Sequence, residues 1–184
     1  MTARLSPAQP PFAPEIQAWL ERTMPKDHAP LVLFTTLARD ARLFGKFFAA
    51  GLLDRGHLTL RQRELVIDRI TAQCGSEYEW GVHIAFFAER VGLDESQIQS
   101  LVHGQPEDSC WNDTDKVLLR LCDALHRYST VSDELWADLR GRFSGEAILE
   151  LLMLAGFYTM VSYVTNGLCL PLEPYARRFP PKPR

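Results

Sequence analysis

Apolar residues recur through the middle of the chain at the spacing expected of amphipathic helices. One such stripe consists of Leu118, Leu121, Cys122, Leu125 and Tyr128. Residues three and four apart lie on one face of a helix, so this face is expected to pack on a core. Strand-like alternation is nearly absent; only residues 31–36 have side chains suited to a strand, and they have no evident pairing partner. The pattern predicts an all-α domain of about six to eight helices joined by short turns.

Capping residues predict where the helices begin. Thr59 with Gln62 fits the capping-box pattern and predicts a helix over residues 60–72. Ser76 with Glu79 fits the same pattern and predicts a second helix that ends near Gly92. Further helices are predicted over residues 15–24 and 41–54, after Asn112 or Asp113, after Ser132, and from Ser144 to about Tyr163.

The two ends of the chain differ in composition from the middle. Spaced prolines in residues 1–14 predict an extended arm, and residues 171–184 form a similar Pro/Arg-rich tail. Between them, residues 15–170 are expected to form one domain, in keeping with a chain of 184 residues. The start lacks the apolar run of a secretory signal. The nearly apolar stretch 151–164 is shorter than a membrane span, which favours a buried helix.

Charge and cysteine content narrow the possible partners and the compartment. The chain has 20 Lys and Arg against 23 Asp and Glu, a formal net charge of −3. Because it has no basic run, nucleic acid and anionic membranes are excluded as partners. Its four cysteines, Cys74, Cys110, Cys122 and Cys169, form no CxxC pair. Unpaired thiols are typical of a reducing compartment, which predicts a cytoplasmic protein.

Candidate chemistry is concentrated in residues 61–93. Glu79 and His83 are four residues apart on the second capped helix and share a face, beside Trp80 and Phe87. A carboxylate next to an imidazole in an aromatic setting can keep a histidine titrating near neutral pH, where it exchanges protons. The alternative is that Glu79 only completes the capping box and that His83 is a core histidine. Two ligands are too few for a metal, so no metal site is predicted.

Cys74 has two possible roles. It directly precedes the turn before the Ser76 cap, where the positive end of a helix dipole could favour its thiolate. Alternatively, it is a small buried apolar residue. The chain has no nucleophile elbow, phosphate-binding loop or dinucleotide-binding turn.

The central motif carries a family resemblance. Glu64, the turn at Cys74 and Gly75, the sequence SEYEWGVH at 76–83 and the later helix EAILELLMLAGFYTMVSYV resemble the carboxymuconolactone decarboxylase and alkylhydroperoxidase D (AhpD-like) superfamily. The resemblance covers about residues 30–168. It implies an all-helical fold that forms homo-oligomers, as trimers, hexamers or dimers. It also implies an active site at the motif helices near a subunit interface.

The peroxidase branch of that superfamily uses a Glu, a CxxC pair and a His. Transferred to this chain, Glu64 takes the Glu position, Ser76 and Glu79 take the two Cys positions, and His83 takes the His position. Both thiols of the pair are therefore replaced. Peroxide reduction needs an attacking thiolate and usually a resolving thiol. A peroxiredoxin-like alternative would rest on Cys74 alone, with an external resolving partner.

The decarboxylase branch implies a lyase that works by acid/base chemistry on a small carboxylic acid or lactone without a cofactor. His83 would deliver a proton to the product carbon, and Glu64 or Glu79 would orient and tune it. Trp80 would help to desolvate the departing carboxylate, with Tyr78 as a further motif residue. A third alternative is a catalytically silent family member.

A substrate carboxylate would need a cationic or amide partner. Arg63 is the predicted contact, and Arg69, further along the same helix, is a second candidate.

Overall fold

The computed structural model describes residues 3–23 and 28–182, and within them it contains nine helices and no strand. The helices are α1 (Pro14–Thr23), α2 (Val32–Leu37), α3 (Ala41–Ala49), α4 (Leu60–Gln73), α5 (Glu77–Phe87), α6 (Glu95–His103), α7 (Asp113–Tyr128), α8 (Asp133–Arg140) and α9 (Gly145–Gly167). The all-α prediction is confirmed, and the described residues contain one helix more than the predicted range.

The N-terminal third differs most from the sequence-based prediction. Residues 31–36 contribute to helix α2 instead of a strand, because the hydroxyls of Thr35 and Thr36 donate back to the Val32 carbonyl one turn earlier. Helix α3 ends at Ala49, earlier than predicted. Helix α1 matches its prediction up to residue 23, and residue 24 lies outside the described residues.

Most predicted helix starts are confirmed. Thr59 and Gln62 form the complete capping box of α4. The side chains of Asn112, Ser132 and Ser144 cap α7, α8 and α9. Helix α6 was not predicted, although Asp94 and Gln97 form a second complete capping box there.

Helix α4 is the centre of the fold and has no solvent-facing side over its middle. It packs against α5, α6, α7 and α9, and every residue from 64 to 71 is buried. Three of these residues carry ionisable groups, Glu64, Asp68 and Arg69. Arg69 is satisfied by an ion pair to Asp123 at 2.8 Å and by donation to carbonyls at the end of α6. Glu64 and Asp68 belong to the site described below.

Helix α9 is long and apolar enough to cross a membrane by length and composition, and 44% of that apolar stretch is buried inside the protein. It packs along α4 and also contacts α5 and α8, as the core helix of a globular domain does. One face stays exposed and includes Leu149, Met153 and Tyr163. The opposite face brings Tyr158 into the interior.

The C-terminal tail is bound to the domain along α5. The Arg177 amide donates to the Gly81 carbonyl at 3.0 Å, and a side chain at Gly81 would collide with the Arg177 carbonyl oxygen. Phe179 packs on the buried Trp80, with ring centroids 5.0 Å apart. The predicted extended tail is thus part of the folded structure from 171 to 182 and fixes the outer face of α5.

Candidate functional site

An imidazole is held between two carboxylates where α4, α5 and α9 meet. His83 Nδ1 on α5 lies 2.7 Å from Glu64 Oε2 on α4. His83 Nε2 lies 3.5 Å from Glu79 Oε1, one turn earlier on α5, and 3.2 Å from the Tyr158 hydroxyl on α9. All four side chains are buried. The packing of α5 on α4 therefore joins residues 19 positions apart in sequence into one network.

The two carboxylates determine the protonation of His83. Burial lowers the pKa of His83, but the charges and hydrogen bonds of Glu64 and Glu79 raise it by more, to about 10. At neutral pH the ring is therefore an imidazolium. Its Nδ1–H donates to Glu64, and its Nε2–H points towards Glu79 and the Tyr158 oxygen. The site holds a proton that a bound molecule could receive.

This pKa makes the stability of the fold dependent on pH. Since the folded protein binds the His83 proton more tightly than the unfolded chain, whose pKa is 6.5, the contribution of His83 is complete below about pH 6.5 and is lost towards pH 10. We expect the free energy of unfolding, measured by urea denaturation, to fall between pH 6.5 and 9. The His83→Gln variant should show a shallower fall, and equal slopes in both proteins would contradict the assignment.

Asp68 is a buried carboxyl next to this network. It lies one turn after Glu64 on α4, and its Oδ1 has no hydrogen-bond partner within the described residues. Burial and the neighbouring Glu64 charge raise the pKa of Asp68 well above its usual value, and the opposing effect of His83 is smaller. The neutral form of Asp68 is therefore favoured more than in an exposed aspartate. Its i, i+4 spacing from Glu64 was the sequence signal for it.

A cavity of about 310 Å³ opens directly above His83. Its floor consists of Glu79, His83 and Tyr158, whereas Glu64 lies behind the imidazole and does not line it. The walls are aromatic rings from four elements: Phe34, Phe47, Phe48, Phe86, Phe87 and Phe157. Arg90 lies at the same cavity. A small apolar cavity with a few convergent polar groups is the usual form of a small-molecule site.

The capping-box interpretation of Ser76 and Glu79 is wrong. Ser76 is the N-cap residue of α5, but its side chain makes no capping bond. Its hydroxyl is instead within 2.8 Å of the Thr165 hydroxyl on α9, in the interior. The Glu79 carboxylate is turned towards His83 and is almost fully buried. Glu79 is therefore available to the site and is not used to start the helix.

The other two motif residues face away from the cavity. Trp80 is fully buried against the C-terminal tail and does not line the cavity, so the predicted Trp80 wall is incorrect. The phenylalanine rings provide the apolar wall in its place. The Tyr78 hydroxyl donates to Glu173 of the tail and accepts from the Leu33 amide at 3.0 Å. Tyr78 thus ties α2 and the tail to α5.

Arg63 is engaged with a loop and not with the cavity. Its guanidinium donates to the carbonyls of Leu53 and Asp54 at 2.9 and 3.3 Å. Because Leu53 lines the cavity, Arg63 fixes one part of its wall. This placement gives no support to the predicted contact with substrate, and Arg69 is equally committed to its ion pair.

Cys74 lies in a different part of the molecule from His83. It is the C-cap residue of α4, and its Sγ is 4.0 Å from His126 Nδ1 in a separate cavity. Burial raises the pKa of the Cys74 thiol, more than hydrogen bonds from Ser162 and Thr159 lower it. Of the two roles predicted for Cys74, this favours the small apolar residue over the thiolate. No cysteine of the described chain lines the His83 cavity.

These side chains can donate and accept protons towards a bound molecule. His83 supplies an N–H donor, Tyr158 a hydroxyl, and Glu79 a carboxylate, all at one end of an apolar space. Within residues 3–23 and 28–182, no group of three or more His, Cys, Asp or Glu is arranged to hold a metal ion. Tyr158 and Asp68 were missed by the sequence analysis, since both lie in helices whose apolar pattern predicted only core.

Solved structures share this fold at low sequence identity. A peroxidase-related protein from Silicibacter sp. TM1040 superposes with a TM-score of 0.80 at 19% identity, covering 97% of this chain and 96% of that one. An alkylhydroperoxidase AhpD core protein from Ralstonia eutropha JMP134 superposes with a TM-score of 0.78 at 18% identity, covering 94% of this chain and 93% of that one. A debrominase in complex with 2,3,4-tribromopyrrole superposes with a TM-score of 0.78 at 13% identity, covering 95% of this chain and 94% of that one.

These superpositions show that the all-helical fold of the chain is similar to the AhpD-like fold. Residues 41–116, which include α4 and α5 with Glu64, Glu79 and His83, match the carboxymuconolactone decarboxylase family. The family match and the shared fold together support the carboxymuconolactone decarboxylase and AhpD-like superfamily as the group that this chain resembles. No curated protein shows significant similarity to it in sequence.

Proposed function

We propose that the protein is a carboxymuconolactone decarboxylase-like lyase, acting without a cofactor by acid/base chemistry on a small carboxylic acid or lactone. One observation carries the proposal: His83, held by Glu64 and opposed by Glu79, lies at the floor of an aromatic cavity. A protonated imidazole exposed to a small apolar space can deliver a proton to carbon.

The floor of the cavity supplies each step of a decarboxylation. The bond between the substrate carbon and its carboxylate breaks, carbon dioxide leaves, and the electron pair spreads into a neighbouring carbonyl as an enolate. His83 Nε2–H then gives its proton to that carbon, and the ring recovers a proton from solvent. Burial raises the pKa of the Tyr158 hydroxyl, as do the charges of Glu79 and Glu64, so Tyr158 stays neutral and can donate to the enolate oxygen.

Glu79 and the aromatic walls favour loss of the substrate carboxylate as carbon dioxide. The Glu79 carboxylate lines the cavity, and one of its buried oxygens has no hydrogen-bond partner within the described residues. A substrate carboxylate placed against it is repelled, and departure as neutral carbon dioxide removes that repulsion. The phenylalanine rings exclude water, which strengthens both the repulsion of the substrate carboxylate by Glu79 and the relief of that repulsion when carbon dioxide leaves.

The placement of the cysteines supports acid/base chemistry over thiol chemistry. The two positions that correspond to the peroxidase CxxC pair are Ser76 and Glu79, and neither can form a sulfenic acid. Cys74, the remaining candidate, lies in another cavity, and burial raises the pKa of its thiol. A thiol peroxidase needs a thiolate beside its peroxide site.

A paired assay separates these activities. Carbon dioxide release from carboxymuconolactone and related β-keto acids is measured before and after thiol alkylation, beside consumption of an organic hydroperoxide with a dithiol reductant. The proposal predicts carbon dioxide release that survives alkylation. Peroxide consumption lost on alkylation would favour Cys74 chemistry, and no activity in either assay would contradict an enzyme of this class.

Tyr158 provides a test of the hydroxyl at the floor. We expect Tyr158→Phe to lower kcat about 10- to 100-fold, because the enolate oxygen loses its donor while the ring still fills its place. Steady-state kinetics measures the change. Tyr163→Phe is the matched control, since Tyr163 lies on the same helix with 70% of its surface exposed, and it should leave kcat unchanged. Equal kcat values for all three proteins would remove Tyr158 from the mechanism.

A further inference from the structure

Resting on the proposed function, we propose that the substrate is an amphipathic acid whose persistent carboxylate binds Arg90 at the cavity. An apolar body, about the length of one aromatic ring, lies between this carboxylate and the carbon that receives the proton from His83. The inference names a substrate class and a specificity-determining residue that sequence analysis did not identify.

The walls of the cavity argue for an apolar body. Six phenylalanine rings line the cavity, together with the polar floor and Arg90. A small acid that carried polar groups throughout would leave them without hydrogen-bond partners against these rings. An aromatic or aliphatic body instead gains the free energy of removing apolar surface from water.

Arg90 is placed to bind an anion. Its Cζ lies 5.2 Å from the centroid of the Phe87 ring, and Phe87 lines the cavity. Within the described part of the chain, Arg90 forms no ion pair with an acidic side chain. Seven of the other arginines there do form such a pair, namely Arg61, Arg63, Arg69, Arg120, Arg142, Arg177 and Arg178. A guanidinium at an apolar wall is suited to a planar carboxylate.

The geometry of α5 fixes both the length and the orientation of the substrate. The Phe87 ring centroid is 5.5 Å from that of His83, so one aromatic ring separates the imidazole from the guanidinium. Glu79 at the floor repels a carboxylate that persists through the reaction, whereas Arg90 attracts it. The substrate therefore enters with its reacting end first and keeps its persistent carboxylate at Arg90.

Calorimetric binding of three probes tests this directly. The probes are 4-phenylbutyrate, its neutral amide 4-phenylbutyramide, and butyrate, which lacks the ring. We expect 4-phenylbutyrate to bind the wild-type protein at least about tenfold more tightly than either comparison compound. The Arg90→Gln variant should bind 4-phenylbutyrate about tenfold more weakly and should no longer distinguish it from the amide.

The matched control is Arg127→Gln. Arg127 also lies over an aromatic ring, that of Tyr128, but at a site remote from this cavity, so its loss should not change binding. Unchanged affinity in Arg90→Gln, affinity for butyrate equal to that for 4-phenylbutyrate, or no binding of 4-phenylbutyrate would each overturn the inference. The calorimetric binding measurements do not require the protein to turn over a substrate. Lyase activity with binding independent of Arg90 would overturn this inference alone, and Arg90-dependent binding without lyase activity would overturn the proposed reaction alone.

Discussion

Replacing His83 with glutamine is expected to lower turnover by about 10²- to 10⁴-fold, the contribution that a general acid typically makes. Glutamine keeps a polar group of similar reach beside Glu64 but cannot deliver a proton to carbon at neutral pH. The effect should be on kcat, because the apolar walls that hold the substrate are untouched. Carbon dioxide release under saturating substrate measures it.

Two controls keep the result interpretable. Circular dichroism and urea denaturation at pH 6 report whether His83→Gln still folds. His126→Gln is the matched variant, because His126 is exposed and lies beside Cys74 in a separate cavity. It should retain full activity. Full activity in His83→Gln, or loss of activity in His126→Gln, would contradict the assignment of the chemistry to His83.

Replacing Glu64 with glutamine is expected to move the pH range of activity. The Glu64 charge and hydrogen bond raise the pKa of His83, so a neutral amide at this position lowers that pKa by about one to three units. The alkaline limit of the kcat profile should shift down by the same amount, while activity near pH 6 is kept in part. A pH–rate profile of both proteins measures the shift.

This profile distinguishes positioning from a merely structural role. Glu64 does not line the cavity, and its hydrogen bond goes to His83, so its replacement should change the pH dependence more than KM. Glu89→Gln, an exposed carboxylate just after α5, is the control and should leave the profile unchanged. A uniform loss of kcat at every pH in Glu64→Gln, with no shift of its alkaline limit, would contradict the account.

Much of the fold could be predicted from capping residues and apolar spacing. The starts of α4, α7, α8 and α9 follow from Thr59, Asn112, Ser132 and Ser144, whose side chains bond to backbone amides within their own helices. Helix α2 was not predicted, because Thr35 and Thr36 favour strands by propensity. Tertiary packing and hydroxyl bonds to the preceding turn overrode that preference.

The site was predictable where its residues share a helix, and less so where they do not. Glu79 and His83 are one turn apart on α5, so their proximity followed from sequence. The sequence left open whether Glu64 and His83 meet, and the packing of α5 on α4 brings them into contact. The sequence pattern around Tyr158 and Asp68 indicated only core residues. The assembled fold is needed to show that their side chains face the His83 network.

Local patterns also assigned some residues to the wrong place. Ser76 has the spacing of a cap, but burial against α9 gives its hydroxyl a better partner in Thr165. Trp80 packs under the C-terminal tail, whose position no local pattern predicts. Assembly into trimers, hexamers or dimers, a cytoplasmic location and the lack of a cofactor stay predictions of the sequence analysis.

The central claim is that His83 holds a proton at neutral pH at the floor of the cavity. Nitrogen-15 NMR of the histidine side chains tests it most directly, with His83→Gln used to assign the resonances. The account predicts that both His83 ring nitrogens are protonated at pH 7.5 and that the ring loses a proton only near its pKa of about 10. A neutral imidazole at pH 7.5, titrating near 6.5, would contradict it.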